Sequence, residues 1–311
     1  MNKKIISAAL AATVTLSTLA IPALEPQPVS AATLTSQSNT AAVNAKADQL
    51  IATAKSLIGK ASYSNTQYKD TYPYKFSCAS FLMYVFEKNG VDLGTYNEDY
   101  MMKQGTYVAK GQWKKGDLLF FKSKKTGTDP DHVVMYIGNN KVIQMADPKQ
   151  KIVITDMNSK PYYKDNYVTA RRVLPSLMSS NPATTGDKIV ESAYKLRDKA
   201  TIGSTTNASA MRFTSTGFIN YVYKKQNITL PATSISALMA KGTTVSRANL
   251  QKGDLVFFNS VKGSKTPSLV GIYAGDYRLI IPTSSGVQSR VLLVDYYNTH
   301  YITAKRIISK K

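Results

Sequence analysis

Gly116-Asp117-Leu118-Leu119-Phe120-Phe121-Lys122-Ser123 returns 137 positions later as Gly253-Asp254-Leu255-Val256-Phe257-Phe258-Asn259-Ser260. The same offset joins Phe76-Ser77-Cys78-Ala79-Ser80-Phe81 to Phe213-Thr214-Ser215-Thr216-Gly217-Phe218, and Val134-Met135-Tyr136-Ile137-Gly138 to Gly271-Ile272-Tyr273-Ala274-Gly275. Residues 167–173 match 301–307 at an offset of 134, and residues 48–60 match 187–199 at 139. Ordered matches at a nearly constant spacing define a duplication. The first copy is assigned to 48–175 and the second to 187–311. Residues 176–186, rich in Ser, Asn, Pro, Thr and Gly, have the composition of a linker. Residues 32–47 form a polar leader without clear periodicity, for which no ordered structure is expected.

Within each copy the apolar pattern changes period part-way. Leu50, Ile51, Ala54, Leu57 and Ile58 fall on one helical face. A polar loop rich in tyrosine follows, then an apolar helical stretch opened by Ser77-Cys78 and closed by Asn89-Gly90. Short apolar runs at 117–122, 133–137, 141–145, 153–156 and 167–172, separated by turn residues, predict strands. Helices first and antiparallel strands afterwards predict an α+β fold. Two tandem domains are expected, each a helical N-terminal part packed on an antiparallel sheet.

Residues 1–31 read as an export signal. Lys3 and Lys4 precede a mostly apolar run at 5–24, and Val29-Ser30-Ala31 supplies a small-residue cleavage site. Ser7, Thr13, Thr15, Ser17, Thr18 and Pro22 interrupt the run, which argues against an anchor, and nothing later is apolar enough to span a bilayer. A secreted protein associated with the cell wall is expected. The chain holds 40 Lys and Arg against 19 Asp and Glu, a formal net charge of +21. Such an excess suits an anionic polymer, which outside a bacterial cell means teichoic acid, the carboxylates of peptidoglycan or an acidic capsule. Export and the lack of a nucleic-acid motif argue against nucleic acid as a partner. Two distant histidines, one cysteine and no His-Glu-x-x-His spacing give no metal site or cofactor to expect.

Cys78 is the only cysteine, so a disulfide within the chain has no second half. Amide hydrolysis by cysteine needs a thiolate, a proton carrier and a group that aims the carrier. Ser77 is a good N-cap residue, so Cys78 opens a helix whose unpaired N–H groups favour an ionised sulfur. The N–H groups of that turn could also form part of an oxyanion site. His132 begins the predicted strand His132-Val133-Val134-Met135-Tyr136-Ile137 and is the candidate base. Asp131 is adjacent, but neighbouring strand residues point to opposite faces. Gln144, a single amide within Lys141-Val142-Ile143-Gln144-Met145, is better placed to accept from the imidazole. The expectation is an ionised thiol facing an open groove with the imidazole alongside. A lone cysteine in an apolar helix is otherwise a packing residue.

Together these segments resemble the NlpC/P60 family of cell-wall cysteine peptidases, which have a papain-like core. The shared features are an opening helix, a tyrosine before the nucleophile, a Cys-bearing helix start, a Gly-Asp-Leu-hydrophobic-Phe strand and a His-Val-hydrophobic-hydrophobic-Tyr-hydrophobic-Gly strand. A third polar residue on the next strand completes them, and the resemblance covers about residues 48–173 and 187–307. It implies Cys78 as nucleophile, His132 as base and Gln144 at the third position, where the family more often carries His. It also implies Tyr63 as a substrate-site tyrosine, although Tyr68, Tyr72 and Tyr74 compete. Ser77 stands where the family has Asp, and Ala79-Ser80 where it has Ser-Gly, which makes Ser77 and Ser80 candidate substrate contacts. The reaction implied is cleavage of the γ-D-glutamyl to diamino acid bond of peptidoglycan stem peptides.

The second copy lacks this set. Cys78 corresponds to Ser215, His132 to Leu269 and Gln144 to Ile281, while His300 matches Asn166 in the turn before the last strand. A serine without a base is not activated, so the second copy is expected to be inert. Residues 32–180 hold 20 basic and 12 acidic residues, whereas 181–311 hold 18 and 6. The copy without chemistry is the more basic one, which suits a tether to an anionic wall polymer. The alternatives are a hydrolase of poly-γ-glutamate and a wall-binding protein without catalysis.

Overall fold

The computed structural model describes residues 31–123, 130–178 and 184–308. All but the last residue of the expected export signal, and residues 179–183 of the linker, lie outside these. No helix among the described residues is long and apolar enough to cross a membrane.

The first copy opens with α1 (Ala31–Ser56). A short parallel pair, β1 (Ala61–Tyr63) and β2 (Tyr74–Phe76), leads into α2 (Cys78–Lys88) and α3 (Glu98–Lys103). Then come β3 (Thr106–Tyr107), β4 (Leu118–Phe121), β5 (His132–Gly138), β6 (Lys141–Met145), β7 (Ile152–Asp156), α4 (Tyr162–Asp165) and β8 (Tyr167–Arg172). These strands form an antiparallel sheet of order β3-β8-β4-β5-β6-β7. Helix α1 extends over the leader at 32–47, contrary to the expectation of no ordered structure. No Gly or Pro interrupts 31–58 and alanine is frequent there, so the helix begun by the buried Leu50 face propagates backwards. Ile58 lies past the helix end and is exposed, whereas Leu50, Ile51, Ala54 and Leu57 are buried.

Strand β4 reads as a continuous apolar run because both faces of the sheet are covered. Leu118 and Phe120 pack with α1 and α2, while Leu119 and Phe121 meet Val134, Val142, Tyr163 and Ala170 on the opposite face. The Gly-Asp that precedes it is structural. Gly116 has φ 86°, and a Cβ there would lie 2.9 Å from Leu174 Cδ1 and 3.2 Å from Ala47 Cβ. The carboxylate of Asp117 is buried, accepting from Lys114 N at 2.8 Å and from Arg172 Nε and Nη2 at 3.0 and 2.8 Å. Asp254 repeats this with Gln251 N and Arg306.

The second copy follows α5 (Leu174–Leu177) and comprises α6 (Thr185–Leu196), β9 (Thr201–Ile202), β10 (Arg212–Phe213), α7 (Ser215–Lys224), α8 (Ile235–Met239) and the sheet strands. Those are β11 (Thr243–Val245), β12 (Leu255–Phe258), β13 (Leu269–Gly275), β14 (Arg278–Thr283), β15 (Gly286–Val291) and β16 (Tyr301–Arg306), with α9 (Asp295–Thr299) before the last. Their order, β11-β16-β12-β13-β14-β15, repeats that of the first sheet. The α+β tandem architecture is thus present in both halves. Arg278, 1 % exposed, joins them: Nη1 donates to Asp92 O at 3.0 Å and Nη2 to Ser176 O at 3.3 Å. Asp276 accepts from Gly105 N and Ser176 Oγ.

Candidate active site

Strand β2 delivers the chain to Ser77, whose Oγ accepts from Ser80 N at 3.2 Å while Ser80 Oγ accepts from Ser77 N at 2.8 Å. This capping box starts α2 at Cys78. Both hydroxyls, expected to face substrate, are engaged in the cap, and Ser80 is buried. Cys78 itself is only 5 % exposed and joins the core cluster containing Phe76 and Phe81. Its Sγ donates to Glu98 Oε1 at 3.0 Å, and the backbone amides of Val133 and Ala79 hydrogen-bond to the sulfur. Burial first, then the charge and hydrogen bond of Glu98, push the thiol far above the ordinary range, and the two amides oppose this only in part. The expected thiolate in an open groove is therefore corrected. Without substrate the thiol is largely covered and aimed at a carboxylate, and desolvation and that charge outweigh the helix start in raising its pKa.

Strand β5 begins at His132, opposite Phe121, and its next residue supplies the amide on the sulfur. His132 Nε2 lies 2.7 Å from Gln144 Oε1. Gln144 is buried, and its amide nitrogen donates to Thr155 Oγ1 at 2.9 Å and Tyr163 OH at 2.6 Å. With its amide nitrogen on those two hydroxyls, Gln144 turns its oxygen to the ring and accepts from Nε2–H, which leaves the Nδ1 lone pair as the base. Burial lowers the His132 pKa, while Gln144, Asp131 and Glu98 work against that fall. Asp131 instead turns its carboxylate to Ser123 N at 2.8 Å. Beside His132 and Gln144 lies a depression of ≈ 190 Å³ walled also by Asp147, Lys160 and Tyr162.

Tyr63 ends β1 in register with Phe76. Burial raises its pKa, and the charges of Cys78, Glu98 and Asp147 add to the rise against a hydrogen bond from Asn65, so its hydroxyl lies within their field. Of its rivals, Tyr68 and Tyr74 pack on Phe76, and Tyr72 is 73 % exposed. Glu98 was not singled out by sequence reasoning. It opens α3, capped by Asn97, from a run of polar residues that carries no pattern of its own. The repeat held one signal, since the residue at its offset is Ile235. Among the described residues no three His, Cys, Asp or Glu side chains are grouped to hold a metal ion.

The NlpC/P60 family matches residues 62–172 and 202–306, more than half of the chain and both copies of the repeat. This chain belongs to the NlpC/P60 family. It is 29% identical over 272 residues to the gamma-DL-glutamyl hydrolase of Bacillus subtilis, covering 85% of this chain and 60% of that protein. It is 37% identical over 102 residues to murein DD-endopeptidase MepH of Escherichia coli, covering 32% of this chain and 36% of that one. Against peptidoglycan DL-endopeptidase CwlO of Bacillus licheniformis it is 30% identical over 118 residues, covering 37% of this chain and 25% of the relative. The chain thus spans 60% or less of the length of each of these three curated relatives.

In the second NlpC/P60 copy apolar side chains stand at two of the three equivalent positions. Ser215 opens α7 behind the cap of Thr214, Leu269 opens β13, and Ile281 is fully buried. A Cβ on Gly271 would lie 2.9 Å from Ile281 Cγ1, so the isoleucine fills the space beside the strand. His300 stacks on Tyr296 with ring centroids 4.3 Å apart, in the turn before β16.

The raised thiol pKa and the lowered imidazole pKa set the pH response of the NlpC/P60 site. Without substrate, alkylation of Cys78 by iodoacetamide at pH 7 will be slower than that of a free cysteine, whose pKa is about 8.5, and will climb steeply as pH rises above that value. A rate that stays level from about pH 5 to 8 would instead reveal a thiolate–imidazolium pair.

Proposed function

We propose that this chain is a secreted, wall-associated cysteine hydrolase that cleaves γ-D-glutamyl to diamino acid bonds in peptidoglycan stem peptides. The observation that carries the reading is the ordered chain of contacts from Tyr163 and Thr155 through Gln144 to His132, beside the strand start whose amide meets the Cys78 sulfur. The names of the murein and peptidoglycan endopeptidase relatives support the substrate class.

The residues present suffice for acyl transfer. His132 Nδ1 takes the proton from Cys78 as the sulfur attacks the scissile carbonyl carbon, and negative charge moves to the carbonyl oxygen. The Cys78 N–H, in the first turn of α2 and without an intrahelical acceptor, is the natural donor to that oxygen. The imidazolium then protonates the leaving amine as the C–N bond breaks, leaving a thioester. Water, deprotonated by the same nitrogen, hydrolyses the thioester and returns the thiol. Gln144 orients the ring throughout but, being neutral, adds no charge to stabilise the imidazolium.

The second copy is non-catalytic in this reading, and its excess of basic residues holds the enzyme on an anionic wall polymer such as teichoic acid. Mass spectrometry of fragments released from defined muropeptides tests the assignment. New termini at γ-D-glutamate and at the diamino acid are expected, and cleavage at any other bond removes this reading. The relation to the Bacillus subtilis gamma-DL-glutamyl hydrolase, which extends over both copies, favours poly-γ-glutamate as the second reading.

A further inference from the structure

A carboxylate hydrogen-bonded to a nucleophile works against it. Glu98 Oε1 sits 3.0 Å from Cys78 Sγ, so a thiolate formed there meets a full negative charge at contact distance. The proton acceptor suited to the thiol is the imidazole of His132. Among the described residues no lysine or arginine pairs with Glu98 to cancel the charge. The fold does not require it either. Ile235 opens α8 behind its Ser234 cap as Glu98 opens α3 behind Asn97, and both helices form. The copy that lost Cys, His and Gln lost this carboxylate as well, while it kept the Gly-Asp and Arg that hold the sheet.

We propose that Glu98 is the subsite for a primary ammonium group of the substrate, held within ion-pair distance of the scissile carbonyl. The inference rests on the reading of the site as a stem-peptide hydrolase. Substrate ammonium draws the carboxylate off the sulfur and neutralises it, and the thiol proton is then free to pass to His132 Nδ1. The nucleophile is activated only when an amine-bearing substrate is seated. Tyr63 from β1, His132 from β5 and Tyr162 from α4 are the ionisable groups that feel the charge of Cys78 or Glu98, and none is a permanent cation. Lys160, the cation of the adjoining depression, makes no ion pair with Glu98. Poly-γ-glutamate, with a free carboxylate on every unit, is repelled at the same point. A stem peptide offers two such amines, the α-amine of its first residue and the side-chain amine of its diamino acid.

The test compares one synthetic stem peptide with both amines free, with only the N-terminus acetylated, and with only the side-chain amine acetylated. Wild type is expected to lose about ten- to a hundredfold in kcat/KM when the recognised amine is blocked, the range of a charge-assisted hydrogen bond, and the arm that falls names the source. Glu98→Gln should cleave all three peptides within about threefold of one another. Its relative rate on poly-γ-glutamate should rise, and its thiol should alkylate faster, with the midpoint of the pH profile moved down. Glu98→Asp, keeping the charge, should keep the preference for the free amine. Equal wild-type cleavage of the free and both acetylated peptides, or unchanged discrimination in Glu98→Gln, overturns the subsite. Failure of wild type to cleave any of the three removes the stem-peptide reading itself, and the subsite with it.

Discussion

Cys78→Ser will reduce the release of muropeptide fragments to background, a loss on the order of a millionfold where the nucleophile of a triad-type enzyme is removed. Serine retains a hydroxyl that can donate to Glu98, and the capping box of Ser77 and Ser80 does not involve the side chain at 78. The fold, followed by thermal unfolding, should therefore change little. The substitution separates chemistry from adhesion. If the basic second copy holds the wall, the variant still sediments with purified walls at low salt and is released as salt rises. Persistent release of the same fragments by Cys78→Ser would show that the sulfur is not the nucleophile, and the buried thiol would then be a packing residue of the core that contains Phe76 and Phe81.

Gln144 carries the second large effect, and two substitutions there part orientation from charge. Gln144→Ala removes the acceptor for His132 Nε2–H and the donor to Thr155 and Tyr163. The ring is then free to rotate or change tautomer, and kcat should fall by about a hundredfold, as for other residues that orient a functional histidine. Gln144→Glu behaves differently. The hydroxyls of Tyr163 and Thr155 can turn and donate to a carboxylate, so the geometry survives. A negative charge beside Nε2–H favours the imidazolium by about 1–3 pKa units. The sign follows: in the wild type burial holds the His132 pKa low, so the base is available into mildly acidic solution. In Gln144→Glu the raised pKa moves the acid limb of kcat/KM upward, and activity is lost at a higher pH. An acid limb that does not move would mean that residue 144 does not touch the catalytic ring in the working enzyme.

The parts of the site carried by regular elements were legible beforehand. His132 and Gln144 fall on adjacent antiparallel strands, where register and alternation decide which side chains share a face, and the hydrogen bond between them follows. Ser77 before Cys78 announces a helix start, and the cap is there. Glu98 was not legible, since its approach to the sulfur depends on where a six-residue helix after an irregular loop comes to rest. The cap partners of Ser77 and Ser80 were not legible for a related reason. Their hydroxyls find backbone partners within the same turn, at a range where local geometry prevails over a ligand.

Taken alone, the chain of residues determined the duplication and the α+β order of each half, and it named Cys78, His132 and Gln144 as candidates in the first copy with no equivalents in the second. These depend on periodicity and on which functional groups are present, both local properties. Tertiary structure decided the burial of Cys78 and the rise of its pKa, the carboxylate facing it and the docking of the two halves through buried Arg278. Charge state depends on desolvation and on neighbours brought together from distant segments, and neither exists until the chain has packed.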